Sequence, residues 1–309
     1  MYDIELRHVA SYSVSAFWAA AHHLRGGDFA DPQMATALED SLRQLQWMLE
    51  SYGEPIQRFA HHAPPLAGQI ENNQQLGQVI FRKCSTTEDH PSRDKAFARS
   101  AVELEHAFKR FAPNMLDELE SMSADLREGW QEWGQQLLTG FAQQTCPQML
   151  TSRADVYLVP QVTGQPSAAF VPYNSVLVEL SSESCAEQYA DQISEQVFAL
   201  AWSLVQLNTD LPMYADNLSR GGNEKVGAMA SIPAILTTAQ ALGVGQCTQS
   251  AVAERLQRWL PIWSDEQTAT TIWNWWQTYI NGATTWPVAM IALDRMLHPA
   301  CQPGTVEFA

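Results

Sequence analysis

Through Met34–Tyr52 the apolar residues Leu38, Leu42, Leu45, Leu49 and Tyr52 recur three and four apart, until Gly53-Glu54-Pro55 stops the run. That spacing predicts an amphipathic helix. Phe97, Ala101, Leu104, Phe108 and Phe111 repeat the pattern up to Pro113, and Met115, Leu119, Met122, Leu126, Trp133 and Leu137 form a third stripe. Between the first two stripes, residues 58–93 carry Pro64-Pro65 and His90-Pro91 and read as loop with room for one short helix. The texture changes at Thr145-Cys146-Pro147. Asp155–Pro160, Phe170–Pro172 and Ser175–Leu180 are short and β-rich with turn residues between them, so they read as strands. Prolines flanking the middle one make it an edge strand, over about Ser167–Val171.

A long helix follows, from about residue 184 to 208. After Glu224 the pattern is helical again, with Pro233 expected to kink or restart the helix and Gly243-Val244-Gly245 ending it. Val252–Leu260, Gln267–Tyr279 and Pro287–Leu297 complete the helical positions. The predicted fold class is α+β, mostly α-helical, with a small mixed or antiparallel sheet of about three to four strands packed on helices. The predicted organisation is a helical region over 1–145, an α+β core over 146–245 and a tryptophan-rich helical region over 246–309.

Composition narrows the function. Apolar residues make up 46% of the 309, enough for a packed core, which excludes wholesale disorder. Eighteen basic against 34 acidic residues leave a net charge of −16. A surface this acidic repels phosphate backbones and anionic lipid, so neither nucleic acid nor membrane is expected as a partner. No run of 18 apolar residues predicts a membrane span. The opening Met1–His8 has neither the basic nor the apolar region of a signal peptide. The five cysteines are scattered and contain no CxxC, which reads as free thiols in a reducing cytoplasm.

The helix before Asn208 is apolar on two sides. Wound at 100° per residue, Tyr189, Ile193, Val197, Leu200, Leu204 and Leu207 share one face, with Phe198, Trp202 and Val205 nearly opposite. Phe198 and Trp202 then either pack in the core or line a cleft. Strand, edge strand, strand and buried helix is a layout that resembles the zincin metallopeptidase core over about Asp155–Gly243. That family carries HExxH on the helix, two histidines holding zinc and a glutamate activating the bound water. Phe198-Ala199-Leu200-Ala201-Trp202-Ser203-Leu204 stands where many members read HELAHAL; it keeps the Leu-Ala and the final Leu. Glu224, 22 residues beyond Trp202, resembles the third ligand of the gluzincin branch.

The resemblance implies a pseudo-metallopeptidase. Phe198 and Trp202 offer no lone pair to a metal and Ala199 takes no proton, so no metal, cofactor or catalysis is expected. What survives is a groove in which a peptide or protein partner adds to the edge strand at Ala169 and Phe170. Phe198, Ala199 and Trp202 would form its apolar floor. Glu224 would either pair with a basic group of the ligand or act as an ordinary acid at a helix N-terminus. Self-association is left open.

Other constellations compete. His22-His23 and His61-His62 would need joining by the fold, with Asp28 or Glu54, to hold a metal. Glu103–His106 and Asp294–His298 are similar to di-iron ligand spacings, but His106 falls opposite the apolar stripe, toward solvent. Ser219–Lys225 lacks a P-loop pattern, and there is no GxSxG. Of the C-terminal tryptophans, Trp275 adjoins Trp276 and must point elsewhere, which predicts that at least one indole reaches the surface or an interface. The alternative functions are therefore an enzyme with a site of scattered histidines and carboxylates or a tryptophan-lined pocket, and a purely structural helical scaffold.

Overall fold

The computed structural model describes residues 4–84, 90–181, 193–216, 218 and 222–298, with only the backbone at 214–215 and 222–224. The fold is α+β and mostly helical, with one small mixed sheet. The chain divides into two compact units rather than at 145 and 245. One comprises Glu5–Glu128 with Arg153–Glu187, the other Met1–Ile4, Gly129–Ser152 and Gln188–Ala309. The cause is a strand that the sequence pattern did not disclose. β1 (Glu5–Ala10) pairs in parallel with β2 (Arg153–Pro160), tying the start of the chain to its middle.

In the first unit the strand order is β1-β2-β4-β3, where β4 is Ser175–Leu180 and β3 is Ser167–Phe170. β2 and β4 are parallel; β3 is antiparallel to β4 and lies at the edge, as its flanking prolines indicate. The turn from β3 to β4 needs a left-handed residue, supplied by Asn174 at φ 47°, whose side-chain amide donates to the Arg153 carbonyl at 2.5 Å. Arg7 of β1 forks onto both Asp155 carboxylate oxygens at 2.8 Å, pinning the β1–β2 register.

Helices α1 (Tyr12–Leu24), α2 (Pro32–Ser51), α3 (Ile56–Ala67), α4 (Asn73–Cys84), α5 (Pro91–Phe111) and α6 (Met115–Gly129) follow β1. Two helices therefore occupy most of the stretch expected to be loop with one short helix, with a break at 68–72. Pro64 and Pro65 lie inside α3, where two missing N–H groups would ordinarily break it. Burial of Phe59, Ala60, Ala63 and Leu66, on a helix packed against α1, outweighs that loss. Phe17, Phe59, Phe81 and Phe97 interlock at centroid distances of 5.4–6.4 Å and form the centre of this helical layer.

The second unit is helical. A π-helical turn at Trp130–Gly134 leads into α7 (Gln135–Gln144). The remaining elements are α8 (Glu195–Leu204), α9 (Pro212–Ala215), α10 (Gly222–Ala241), α11 (Gln249–Trp259), α12 (Glu266–Ile280) and α13 (Trp286–Leu297). α10 is apolar all round and meets α7, α8, α11, α12 and α13, which makes it the axis of the unit. It continues through Pro233 without restarting and ends as expected, with Gly243 at φ 76° and the Val244 N–H returning to the Ala239 carbonyl.

Trp275 and Trp276 point to different neighbours and are both buried, so neither of these two reaches the surface. α12 sits between two helices, so the Trp276 indole donates to Thr237 of α10 and the Trp275 indole to the Ala289 carbonyl of α13, at 2.9 and 2.7 Å. Among the described residues no helix is long and apolar enough to cross a membrane.

Candidate functional site

The residues expected to form a groove fall in different units: Ala169 and Phe170 in the first, Phe198, Ala199 and Trp202 in the second. Glu224 stands in the first turn of α10, and its side chain lies outside the described residues, as do 184–192, the expected start of the long helix. α8 starts at Glu195 behind Ser194, whose hydroxyl accepts from the Val197 N–H. All ten of its residues are buried. Phe198 and Ala199 have no exposed surface and Trp202 is 3% exposed.

The second apolar side of α8 is closed by α11. The Trp202 ring lies 4.8 Å from that of Trp259, and its indole N–H donates to the Ala228 carbonyl at 2.8 Å. The Arg255 guanidinium covers the Phe198 and Trp259 rings at 5.3 and 5.6 Å and pairs with the Glu195 carboxylate, which also accepts the Trp259 indole N–H at 2.6 Å. These three side chains therefore belong to the core rather than to an open floor. The Glu195–Arg255 pair escaped the sequence reading. Its trace was an arginine within the Val252/Leu256/Trp259 stripe of α11, where a charge signals a buried partner.

The edge strand offers a different arrangement, contained within the first unit. The Glu179 N–H bonds the Pro166 carbonyl at 3.0 Å, which makes 166 and 179 a hydrogen-bonded pair. Alternation along the β3–β4 register then turns the N–H and C=O of Ala168 and Phe170 toward β4, and those of Ala169 away from it. Phe170 itself is 3% exposed and packs edge-on against Trp18 of α1 and near His61 of α3, at 6.3 and 6.5 Å.

Beside Phe170 the fold gathers a cationic, hydrogen-bonded cluster. Tyr173, just after β3, bonds Nδ1 of His62 through its hydroxyl at 2.7 Å, and the His61 and His62 rings are 4.9 Å apart. Lys83 Nζ lies 5.7 Å above the Tyr173 ring. Arg58 donates to the Cys84 carbonyl at 3.1 Å. Burial first, then the charges of His61, Lys83 and Arg58, hold His62 down at about 4, so its ring is neutral near pH 7. Burial raises the Tyr173 phenol above its ordinary range. The neutral phenol and the neutral imidazole thus share one hydrogen bond at Nδ1, whose direction follows the His62 tautomer. The Cys84 thiol, pushed up to about 12 by burial and by Glu54, is no nucleophile.

The histidine-based metal reading finds no counterpart: among the described residues no three His, Cys, Asp or Glu side chains gather in a way that could hold an ion. His22 instead bonds the Asp28 carbonyl at 2.7 Å, and His106 is exposed, as its helical angle predicted.

Glu54 and Glu179 are two of the other buried carboxylates. Glu54 pairs with Arg93 at 2.8 Å. Glu179 is 4% exposed and accepts from the Trp18 indole, the Thr163 hydroxyl and the N–H groups of Val162, Thr163 and Gly164, at 2.6–3.1 Å. It thereby locks the turn that delivers β3 to the sheet. Burial pushes this carboxyl up to about 6 although the donors pull the other way. A folded value above the unfolded one means that the folded state keeps its proton longer. The Glu179 contribution is therefore full below about pH 4.5 and falls by about 2 kcal/mol as pH rises through 6. Subtracting the denaturation curves of Glu179→Gln from those of the wild type between pH 4 and 7 should isolate this slope; a flat difference would refute it.

Two clefts open on the second unit. One of about 640 Å³, between α11 and α12, is lined by Gln249, Ser250, Gln257, Ser264, Asp265 and Glu266. The other, of about 390 Å³, lies where Gly140 of α7 lets Thr238 of α10 approach. Neither contains the tryptophans that an indole-lined pocket would need. Comparison with protein-family models, curated proteins and solved structures returned no match.

Proposed function

We propose that the protein is a non-catalytic binding protein that takes an extended segment of a partner protein along the free edge of β3. The observation that carries this reading is Ala169, whose N–H and C=O face outward on a half-buried edge strand with no partner among the described residues. Such groups cost free energy wherever they are shielded from water, and an added strand satisfies them. The order β2, β3, β4, α8 and then Glu224 at the start of α10 supports the metal-free zincin-like reading, with aromatic packing of Phe198 and Trp202 in place of ligands. Cys84, Cys146 and Cys247 are free thiols, which supports a cytoplasmic setting.

Selection of displayed random 12-residue peptides on the wild type and on Ala169→Pro tests the proposal. Proline removes the outward N–H without touching the β3–β4 bonds, so it is tolerated at this edge. Peptides enriched on the wild type should bind Ala169→Pro at least about tenfold more weakly, with melting temperatures within a few degrees. No enrichment, or equal binding to both, would overturn it.

A further inference from the structure

We propose that the segment bound at β3 is acidic, and that Arg58 and Lys83, beside His61, His62 and Tyr173, receive its carboxylate. This rests on β3 being the docking edge. A chain with 34 acidic and 18 basic residues repels an acidic ligand over most of its surface. Binding one requires a local reversal of sign, and the Phe170 end of β3 provides it.

Arg58 and Lys83 are both exposed, and neither has a carboxylate partner among the described residues. Glu54, a carboxylate close to this region, is buried and engaged by Arg93. With Nη1 fixed on the Cys84 carbonyl, the Arg58 guanidinium holds one orientation and keeps its other N–H groups for a ligand. The neutral His62, its Nδ1 occupied by Tyr173, adds no competing negative charge. The two exposed cations thus set the sign of the cluster, which fits a carboxylate and repels a lysine or arginine side chain.

The cluster also adjoins the strand edge rather than standing apart from it. His61 is 6.5 Å from Phe170, the last residue of β3, and Tyr173 follows three positions later. A segment paired with Ala169 continues past Phe170 within about one residue length. An acidic side chain there would meet the cluster, while main-chain bonds to Ala169 supply register.

The experiment uses the 12-residue peptides enriched above, labelled with fluorescein, and their counterparts with Glu and Asp replaced by Gln and Asn. Acidic peptides should be enriched on the wild type. Arg58→Ala/Lys83→Ala, which changes only exposed side chains, should weaken them about tenfold to a hundredfold. The amide counterparts should bind the wild type with a similar loss and should be indifferent to the double substitution. Binding should also displace the His61 and His62 ring proton resonances, which a merely structural role of the two cations would not do. Enriched peptides that are neutral or basic, or acidic ones unaffected by Arg58→Ala/Lys83→Ala, would overturn this inference and leave the docking edge standing if Ala169→Pro still abolishes binding. Absence of any enriched peptide would overturn both.

Discussion

Truncation of Trp202 to alanine is expected to lower the unfolding free energy by about 3–5 kcal/mol. The indole touches Trp259, donates to the Ala228 carbonyl and is 3% exposed, so its loss leaves a void and removes a buried hydrogen bond. Urea denaturation of wild type and variant measures the difference. A cost under about 1 kcal/mol would mean that the side chain lines an open surface after all. The same variant should bind peptides selected on β3 unchanged under conditions where it remains folded, because Trp202 belongs to the other unit.

The second large effect concerns the buried pair on α8 and α11. Glu195→Ala removes the carboxylate that faces the buried Arg255 guanidinium and the acceptor of the Trp259 indole N–H. The expected cost is about 3–5 kcal/mol. Replacing both partners, as in Glu195→Met/Arg255→Met, should recover most of it, since an uncompensated buried charge is costlier than an absent pair. A full cycle of single and double variants followed by thermal denaturation reads the coupling. If the double variant is as unstable as Glu195→Ala, the penalty arises from lost packing rather than from the broken ion pair.

Much of the fold was legible because its signals are local. The stripes of α2, α5, α11 and α12 and the three strands β2, β3 and β4 all follow from residue spacing, and the edge position of β3 follows from Pro166 and Pro172. What escaped depended on distant partners. β1 is too short and mixed to declare itself without β2, 148 residues away at the Arg7–Asp155 contact. α3 and α4 were masked by Pro64-Pro65, whose local penalty is overridden by packing on α1. On α8, two apolar sides are equally compatible with a cleft and with a double-sided core; only Trp259 and Arg255 on a later helix decide between them. The cluster of Arg58, His61, His62, Lys83 and Tyr173 joins α3, α4 and the β3–β4 turn, so no sequence window contains it.

The parallel pairing of β1 with β2 constrains how the protein can be made. During synthesis β1 emerges while its neighbour in the sheet is still untranslated, so an unmatched strand must wait through most of the first unit's production. Long-range closure of this kind slows folding, and any amphipathic strand that captures β1 in the interval becomes a route to aggregation.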